Sequence, residues 1–266
     1  MDQVHRLVEL MARLRAEGGC PWDREQTHES LKPYLLEECY EVLEAVDSGH
    51  PAKLCEELGD LLLQIVFHAE LAAEEGRFDL QAIARCIADK LEHRHPHVFG
   101  TVQVRDSDEV VDNWEVLKRA EPRNADRASA LDGVPHVLPA LARATAVQKA
   151  AAKVGFDWPD AAGPAAKVEE ELQELAAARE QADVRRTADE WGDLFFALVN
   201  LTRFARVDAE EALRVATQRF EERFRAVERM ADEQGRQLSA MTLEEMDVLW
   251  EAVKSEVASR QSSEDG

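Results

Sequence analysis

The chain has 266 residues and a net charge of −22, with 54 acidic side chains against 32 Lys and Arg. Such an acidic surface repels nucleic-acid backbones and anionic membranes, so neither is the expected partner. No signal-peptide core or run of ~20 apolar residues is visible. The four cysteines form no close pair, which predicts a reducing, cytoplasmic setting rather than a disulfide framework.

Helix-forming residues dominate the composition, with much Ala, Leu, Glu and Arg and few β-branched runs. This composition predicts an all-α fold. Apolar residues recur at helical spacing in ten segments. These are residues 4–14, 31–46, 56–73, 80–92, 110–118, 137–152, 165–178, 188–205, 209–229 and 243–257. Loops are expected at 18–23 and 155–159, where Gly and Pro cluster.

One pattern of five carboxylates, Glu-Glu-x-x-Glu and then Glu-x-x-Asp, occurs twice in the chain. Each member of the second copy lies 133 positions after its counterpart. The first copy comprises Glu37, Glu38, Glu41, Glu57 and Asp60, and the second comprises Glu170, Glu171, Glu174, Glu190 and Asp193. This repetition indicates a tandem duplication. We expect two helical-bundle domains, at residues 1–120 and 136–266, joined by a linker at 121–135.

The second helix of each copy is apolar on nearly every side, apart from a narrow polar stripe. In the second half that stripe contains Glu190, Asp193 and Asn200. A helix of this kind is expected to be buried, and a buried, unpaired carboxylate is costly. A divalent cation offsets this cost, and ligation by oxygen alone favours Mg²⁺ or Mn²⁺ over Zn²⁺. Five carboxylates per unit suit two metals. The competing interpretation is a solvated acidic face.

Basic residues and an indole accompany the second acidic pattern. Arg219 and Arg223 lie four apart on one helix, and Lys254 follows Trp250 by four. Cations beside a metal, with an aromatic ring nearby, are typical of a pocket for a polyphosphate attached to a ring. Alternatively, Trp250 is a core residue and the cations form surface ion pairs. Repetition of the set weakens that alternative, since the first half has counterparts at Lys90, Arg94, Trp114 and Lys118.

The paired carboxylate motifs, with residues 19–23 and 155–158 and with Lys167 three before the second acidic pattern, resemble the MazG family of all-α nucleoside triphosphate pyrophosphohydrolases. The resemblance covers nearly the whole chain. It implies two MazG-like domains in a homodimer that hydrolyses ribo- and deoxyribonucleoside triphosphates, with Mg²⁺, to a monophosphate and pyrophosphate. No P-loop or nucleophilic triad is needed for this chemistry.

The resemblance also implies roles for residues of the second half. Glu170, Glu171, Glu174, Glu190 and Asp193 would hold metal, and Glu171, Glu190 and Lys167 would act in catalysis. Lys167, Asn200, Arg219, Arg223, Trp250 and Lys254 would contact the nucleotide. The first half has Tyr34 and Phe67 at the positions of Lys167 and Asn200. The second half is therefore expected to be the main catalytic unit, and the first half a secondary site.

Three other interpretations are weaker. A ferritin-like di-iron protein needs paired Glu-x-x-His motifs, and only Glu25 and His28 fit, without a repeat. His93, His95 and His97 alternate as metal ligands could, but Pro96 favours a loop at a helix end. A helical scaffold that binds nucleotides without hydrolysing them suits the first half better than the second.

Overall fold

The computed structural model describes residues 2–107, 109–110, 113–114, 117 and 128–264, with side chains described as far as residue 255. All regular elements within these residues are helices, which confirms the all-α fold. The chain divides into two compact units, Met1–Ala125 and Asp126–Gly266. The exact domain limits stay predictions, and residues 121–127 of the expected linker lie outside the described part. None of the described helices has the length and apolar content that crossing a membrane requires.

Six helices are described in full in the first unit: α1 Gln3–Arg15, α2 Pro21–Glu25, α3 Lys32–Ser48, α4 Pro51–Glu74, α5 Leu80–Arg94 and α6 Pro96–Phe99. The short helices α2 and α6 fall where loops were expected, and each begins at a proline. Proline suits a first helical position because its φ is already helical and no N–H is lost there. For the same reason α4 begins at Pro51, five residues before the predicted start at residue 56. The expected helix at 110–118 falls partly outside the described residues.

The second unit contains α7 Ala140–Ala152, α8 Ala162–Glu180, α9 Val184–Phe204, α10 Ala209–Glu233, a 3₁₀ turn Leu238–Ala240 and α11 Leu243–Glu264. Aspartates cap two of these helices. Asp183 accepts a hydrogen bond from the Arg186 N–H at the start of α9, and Asp208 accepts one from the Glu211 N–H at the start of α10. Such caps satisfy backbone donors that the first helical turn leaves unpaired. The Asp183 cap fixes where α9 begins and thereby sets the position of Glu190 along the helix.

Each unit is organised around pairs of packed helices. In the first unit α3 packs on α4, and α1 also packs on α4. The core there is built from Met11, Leu31, Val66, Phe67 and Leu71. In the second unit α8 packs on α9, α7 packs on α9, and α10 packs on α11. The α10–α11 pair has its own apolar core of Val227, Ala231, Met241, Leu249 and Val253.

The expectation that α9 is buried on nearly every side is wrong within a single chain. Leu194, Ala197 and Val199 are buried, on a helix that packs against α7 and α8. Phe195 and Phe196, by contrast, are 53% and 47% exposed. Periodicity reveals that a surface is apolar but not what covers it, and these two neighbouring helices leave part of α9 open.

The ion pair between Arg15 and Glu74 gives a prediction for stability. The Arg15 side chain is only 6% exposed, and it donates from Nε and Nη2 to the two Glu74 oxygens, at 2.7 Å each. Those hydrogen bonds hold the pKa of Glu74 below its usual value. A depressed folded pKa stabilises the protein above the unfolded value of ~4.3, and the contribution is lost as the pH falls through the folded pKa.

Glu74→Gln should therefore lower the melting temperature at pH 7 by about 1–2 °C, because solvent screening of the 41% exposed Glu74 side chain limits the contribution to ~0.5 kcal/mol. The deficit should shrink below pH 5, as followed by circular dichroism. Glu75→Gln is the control, because its ion pair with Arg77 is largely exposed. A deficit that persists unchanged at pH 3 would contradict this electrostatic origin.

Candidate active site

Three carboxylates meet where α8 lies against α9. Oxygen atoms of Glu171, Glu174 and Glu190 lie within 4.8 Å of one another. Glu171 and Glu174 are one helical turn apart on α8, so they project from the same side. Glu171 is 4% exposed and Glu190 is 8% exposed. Like charges this close and this buried require compensation by a cation.

The compensation from the protein is incomplete. Lys167 places its Nζ 2.7 Å from Glu171 Oε1 and 2.9 Å from Glu170 Oε1. Its hydrogen bonds to Glu171, and then to Glu170, raise the pKa of Lys167 above its usual value. Arg186 Nε lies 3.2 Å from Glu190 Oε1. The second oxygen of Glu171 is nevertheless buried and has no hydrogen-bond partner among the described residues.

This set of donors fits Mg²⁺ or Mn²⁺. All three groups offer oxygen, the donor that these hard cations prefer. The buried, unpartnered oxygen of Glu171 is available as a ligand atom. We therefore assign Glu171, Glu174 and Glu190 as the residues able to hold the cation.

The first unit repeats the cluster with the corresponding residues. Glu38, Glu41 and Glu57 also bring oxygens within 4.8 Å of one another, and each lies 133 positions before its counterpart. Burial, and then the negative charges of Asp60 and Glu41, raise the pKa of Glu38. Burial followed by the charge of Glu41 likewise raises the pKa of Glu57. Tyr34 stands where the second unit has Lys167. The charge of Lys53 lowers the pKa of Glu57 but does not outweigh burial and the neighbouring carboxylates.

The remaining predicted carboxylates lie outside these groups of three. Glu170 is largely exposed and bound to Lys167, and Asp193 is exposed on α9. Of their counterparts, Glu37 is exposed and Asp60 is half-buried. The structure thus brings together the same three of the five carboxylates in each unit. A metal-binding role for the other two stays a prediction.

The predicted nucleotide contacts on α10 and α11 differ in whether they already have a partner in the structure. Arg219 and Arg223 have no hydrogen-bond or ion-pair partner within the described chain, which leaves their charges available. Lys254 pairs with Glu251 at 2.7 Å. The Trp250 ring packs on Phe220, with centroids 5.3 Å apart, and borders the α10–α11 core. The structure describes no hydrogen bond or ion pair from these residues to the carboxylates, so their nucleotide-binding role stays a prediction. Lys118, the counterpart of Lys254, is outside the described residues.

A cavity of about 660 Å³ lies within the second unit, and sequence reasoning did not anticipate it. Asn200, one of the predicted nucleotide contacts, lines it together with Gln148 of α7. Gln148 is 6% exposed, and its Nε2 donates to the Phe196 carbonyl at 2.8 Å. Its Oε1 is buried without a partner. A glutamine among the apolar positions of α7 was the one available signal.

The histidine-based interpretations find no support as metal centres. His28 makes a 2.8 Å contact between its Nδ1 and that of His68, and the two rings stack. His95 Nδ1 lies 2.7 Å from the Leu91 carbonyl oxygen at the end of α5, as expected for a turn at a helix end. Within the described ranges, groups of three potential ligands occur only at the two carboxylate clusters.

Comparison with known proteins agrees with this geometry. Residues 26–99 match the profile of the MazG nucleotide pyrophosphohydrolase domain, and residues 151–220 match that of phosphoribosyl-ATP pyrophosphohydrolase. The nucleoside triphosphate pyrophosphohydrolase of Escherichia coli K12 is 47% identical over 257 residues, which cover 96% of this chain and 98% of the relative. The chain belongs to the MazG family.

A second relative supports the assignment over nearly the same length. The nucleoside triphosphate pyrophosphohydrolase/pyrophosphatase MazG of Thermotoga maritima is 46% identical, covering 93% of this chain and 94% of its own. A crystal structure of a mazG-related protein from the same organism is 30% identical over 43% of this chain and 98% of that protein. Its TM-score of 0.38 is too low to support a structural comparison. The predicted family is therefore confirmed by sequence.

Metal binding at the two carboxylate clusters can be tested directly. Isothermal titration with Mn²⁺ should reveal binding in both units. Glu171→Gln should remove the binding of the second unit, and Glu38→Gln that of the first, because each variant removes one ligand from a group of three.

Glu169→Gln is the matched control for this titration. Glu169 is an exposed carboxylate of the same helix that lies outside the cluster, so affinity should change less than about threefold. Equal losses in Glu169→Gln and Glu171→Gln would mean that general acidity, rather than the cluster, attracts the cation.

Proposed function

We propose that this protein hydrolyses ribo- and deoxyribonucleoside triphosphates to the nucleoside monophosphate and pyrophosphate. Mg²⁺ is the proposed cofactor and Mn²⁺ its substitute. The observation that carries the proposal is the cluster of Glu171, Glu174 and Glu190, in which Glu171 and Glu190 are buried and one Glu171 oxygen has no partner among the described residues. The names of the relatives from Escherichia coli and Thermotoga maritima support the same activity.

The residues of the second unit have distinct roles in this reaction. Water attacks the α-phosphorus, and the bond from that phosphorus to the α,β-bridging oxygen breaks, so pyrophosphate leaves with the electron pair. A carboxylate of the cluster, Glu171 or Glu190, takes the proton of the attacking water. Lys167, which lies beside the cluster, contributes a positive charge next to the triphosphate. Arg219, Arg223 and Lys254 stabilise the charge on the leaving group, as cations do in phosphoryl transfer.

The second unit is the proposed main catalytic unit. It has an ammonium group beside its carboxylates, whereas the first unit has Tyr34 at that position. The first unit retains a cluster able to hold a cation, and we assign it a secondary role. A wholly non-catalytic scaffold is the alternative function, and a turnover assay separates the two.

Phosphorus NMR of ATP and of deoxyribonucleoside triphosphates, with Mg²⁺ or with EDTA, tests the proposed reaction. Monophosphate and pyrophosphate should form only with the metal. Glu171→Gln and Glu190→Gln should each lower the rate at least a hundredfold, because each removes a buried ligand.

Glu38→Gln is the matched control, since the same change in the first unit should leave most of the turnover intact. Formation of diphosphate and orthophosphate would mean cleavage at the γ-phosphate and would contradict the mechanism. An absence of turnover under all conditions would favour the scaffold.

We also propose that the protein is a homodimer. The open side of α9 carries Trp191 and Phe195, which stack on each other and are each more than 40% exposed, and α10 carries Phe220 at 55%. Adjacent aromatic residues on the surface are typical of a protein interface. A second copy of the chain would remove them from water. A cytoplasmic location stays a prediction.

Sedimentation velocity checks the dimer. The wild type should sediment with twice the 29.9 kDa mass of the single chain, and Phe195→Ser should shift the equilibrium towards monomer. The matched control is Val184→Ser, which removes an 83% exposed apolar side chain at the start of the same helix. A monomeric wild type at tens of micromolar would refute the proposed assembly.

A further inference from the structure

One region of the fold is a cavity in the second unit and a packed core in the first. The repeat aligns Asn200 with Phe67, at the separation of 133. The loops at 19–22 and 155–158 align at a separation of 136, which places Met11 against Val147 and Ala12 against Gln148. In the second unit Val147, Gln148 and Asn200 line the cavity.

The first unit packs side chains at these positions. Met11 and Phe67 are 2% and 3% exposed and belong to one core cluster with Leu31. The Arg15 guanidinium lies 5.5 Å from the centre of the Phe67 ring. The region that forms a cavity in the second unit is therefore part of the packed core in the first.

The hydrogen bonds of Gln148 fix what it offers to the cavity. The Phe196 carbonyl can only accept, so the amide nitrogen of Gln148 faces it. This leaves Oε1 as an acceptor that is buried and unpartnered. An unsatisfied buried polar atom is destabilising, and a ligand N–H in the cavity would satisfy it.

Asn200 supplies the complementary donor. Its Oδ1 accepts a 2.6 Å hydrogen bond from Arg203 Nη1, which leaves its Nδ2 free to donate. Arg203 is held in place by Asp157 at 2.8 Å. The rest of the lining is mainly apolar and includes Phe196 and Trp158. One acceptor and one donor between apolar walls match the edge and faces of a flat nitrogen heterocycle.

The position of the cavity along α9 suits a nucleotide. Asn200 follows Asp193 by seven residues and Glu190 by ten, which is about 10 Å and 15 Å along a helix with a rise of ~1.5 Å per residue. A bound nucleotide spans a comparable length from its phosphates to the edge of its base. A volume of about 660 Å³ is also within the ~300–1,000 Å³ range of ligand pockets.

We propose that this cavity receives the nucleobase and that Gln148 is a base-reading residue. Gln148 Oε1 accepts an N–H from the pairing edge of the base, while Asn200 Nδ2 donates to a neighbouring acceptor. The inference rests on the proposed function. It further implies that the first unit, with Phe67 and Met11 in the corresponding region, holds a cation but no nucleoside.

Substrates that lack one N–H test this contact directly. UTP is compared with N3-methyl-UTP, and ATP with N6,N6-dimethyl-ATP, under steady-state conditions. For the wild type, methylation should raise KM about tenfold in at least one pair, as expected for the loss of one hydrogen bond to a buried acceptor. In Gln148→Leu the KM of the unmethylated substrate should rise about tenfold, with kcat changed less than twofold. The methylation effect should fall to less than twofold.

Gln181→Leu is the control, because Gln181 is exposed at the end of α8. If Gln148→Leu discriminates against the methylated bases as strongly as the wild type, the proposal is overturned. Failure of the wild type to release pyrophosphate from any triphosphate would instead refute the proposed function. These two failures are therefore distinguishable.

A binding measurement gives a readout without turnover. Trp158 lines the cavity, so its fluorescence should change when UMP or AMP is added to the wild type in EDTA. Asn200→Phe, which copies the first unit, should abolish this change while leaving the Mn²⁺ titration intact. Unaltered monophosphate binding by Asn200→Phe would place the base elsewhere. This variant also covers the case in which Gln148→Leu does not fold, which its thermal unfolding curve would reveal.

Discussion

The second unit is organised around the burial of like charges between two helices. Glu171 on α8 and Glu190 on α9 are both below 10% exposure, and they can approach only because α8 packs against α9. The Asp183 cap determines where α9 begins, and α7 packs on the same helix. The free energy that favours closing these helices must exceed the repulsion that it creates. A bound cation would reverse the sign of that electrostatic contribution, so folding and cation binding would favour the same arrangement.

The duplication keeps this arrangement and varies its surroundings. Both units bring the same three carboxylates together, yet only the second has Lys167 paired with one of them, at a position that Tyr34 occupies in the first. In the first unit, burial and repulsion between neighbouring carboxylates raise the pKa of Glu38 and of Glu57. The three carboxylates able to hold a cation are thus common to both units, whereas the lysine at position 167 belongs to the second unit alone.

Much of this organisation could be predicted from the sequence. Helical periodicity and the doubled acidic pattern indicated an all-α fold with carboxylates grouped twice, since both depend on spacing along a helix. The pattern could not show which three of the five carboxylates meet, because that depends on how α8 and α9 pack. It also led to the wrong expectation that α9 is covered on all sides. The cavity escaped prediction for a similar reason, as Gln148 and Asn200 lie 52 positions apart and meet only through packing.

The contrast between Phe67 and Asn200 illustrates a trade between stability and binding. A buried phenylalanine contributes about 3–5 kcal/mol relative to a truncated side chain, and it leaves no polar atom unsatisfied. The second unit forgoes this packing and keeps Gln148 Oε1 buried without a partner. Both features destabilise a ligand-free domain, and both are relieved when a flat polar ring fills the cavity. One copy of the duplicated core is thus packed for stability, while the other retains the space and the polar atoms that recognition requires.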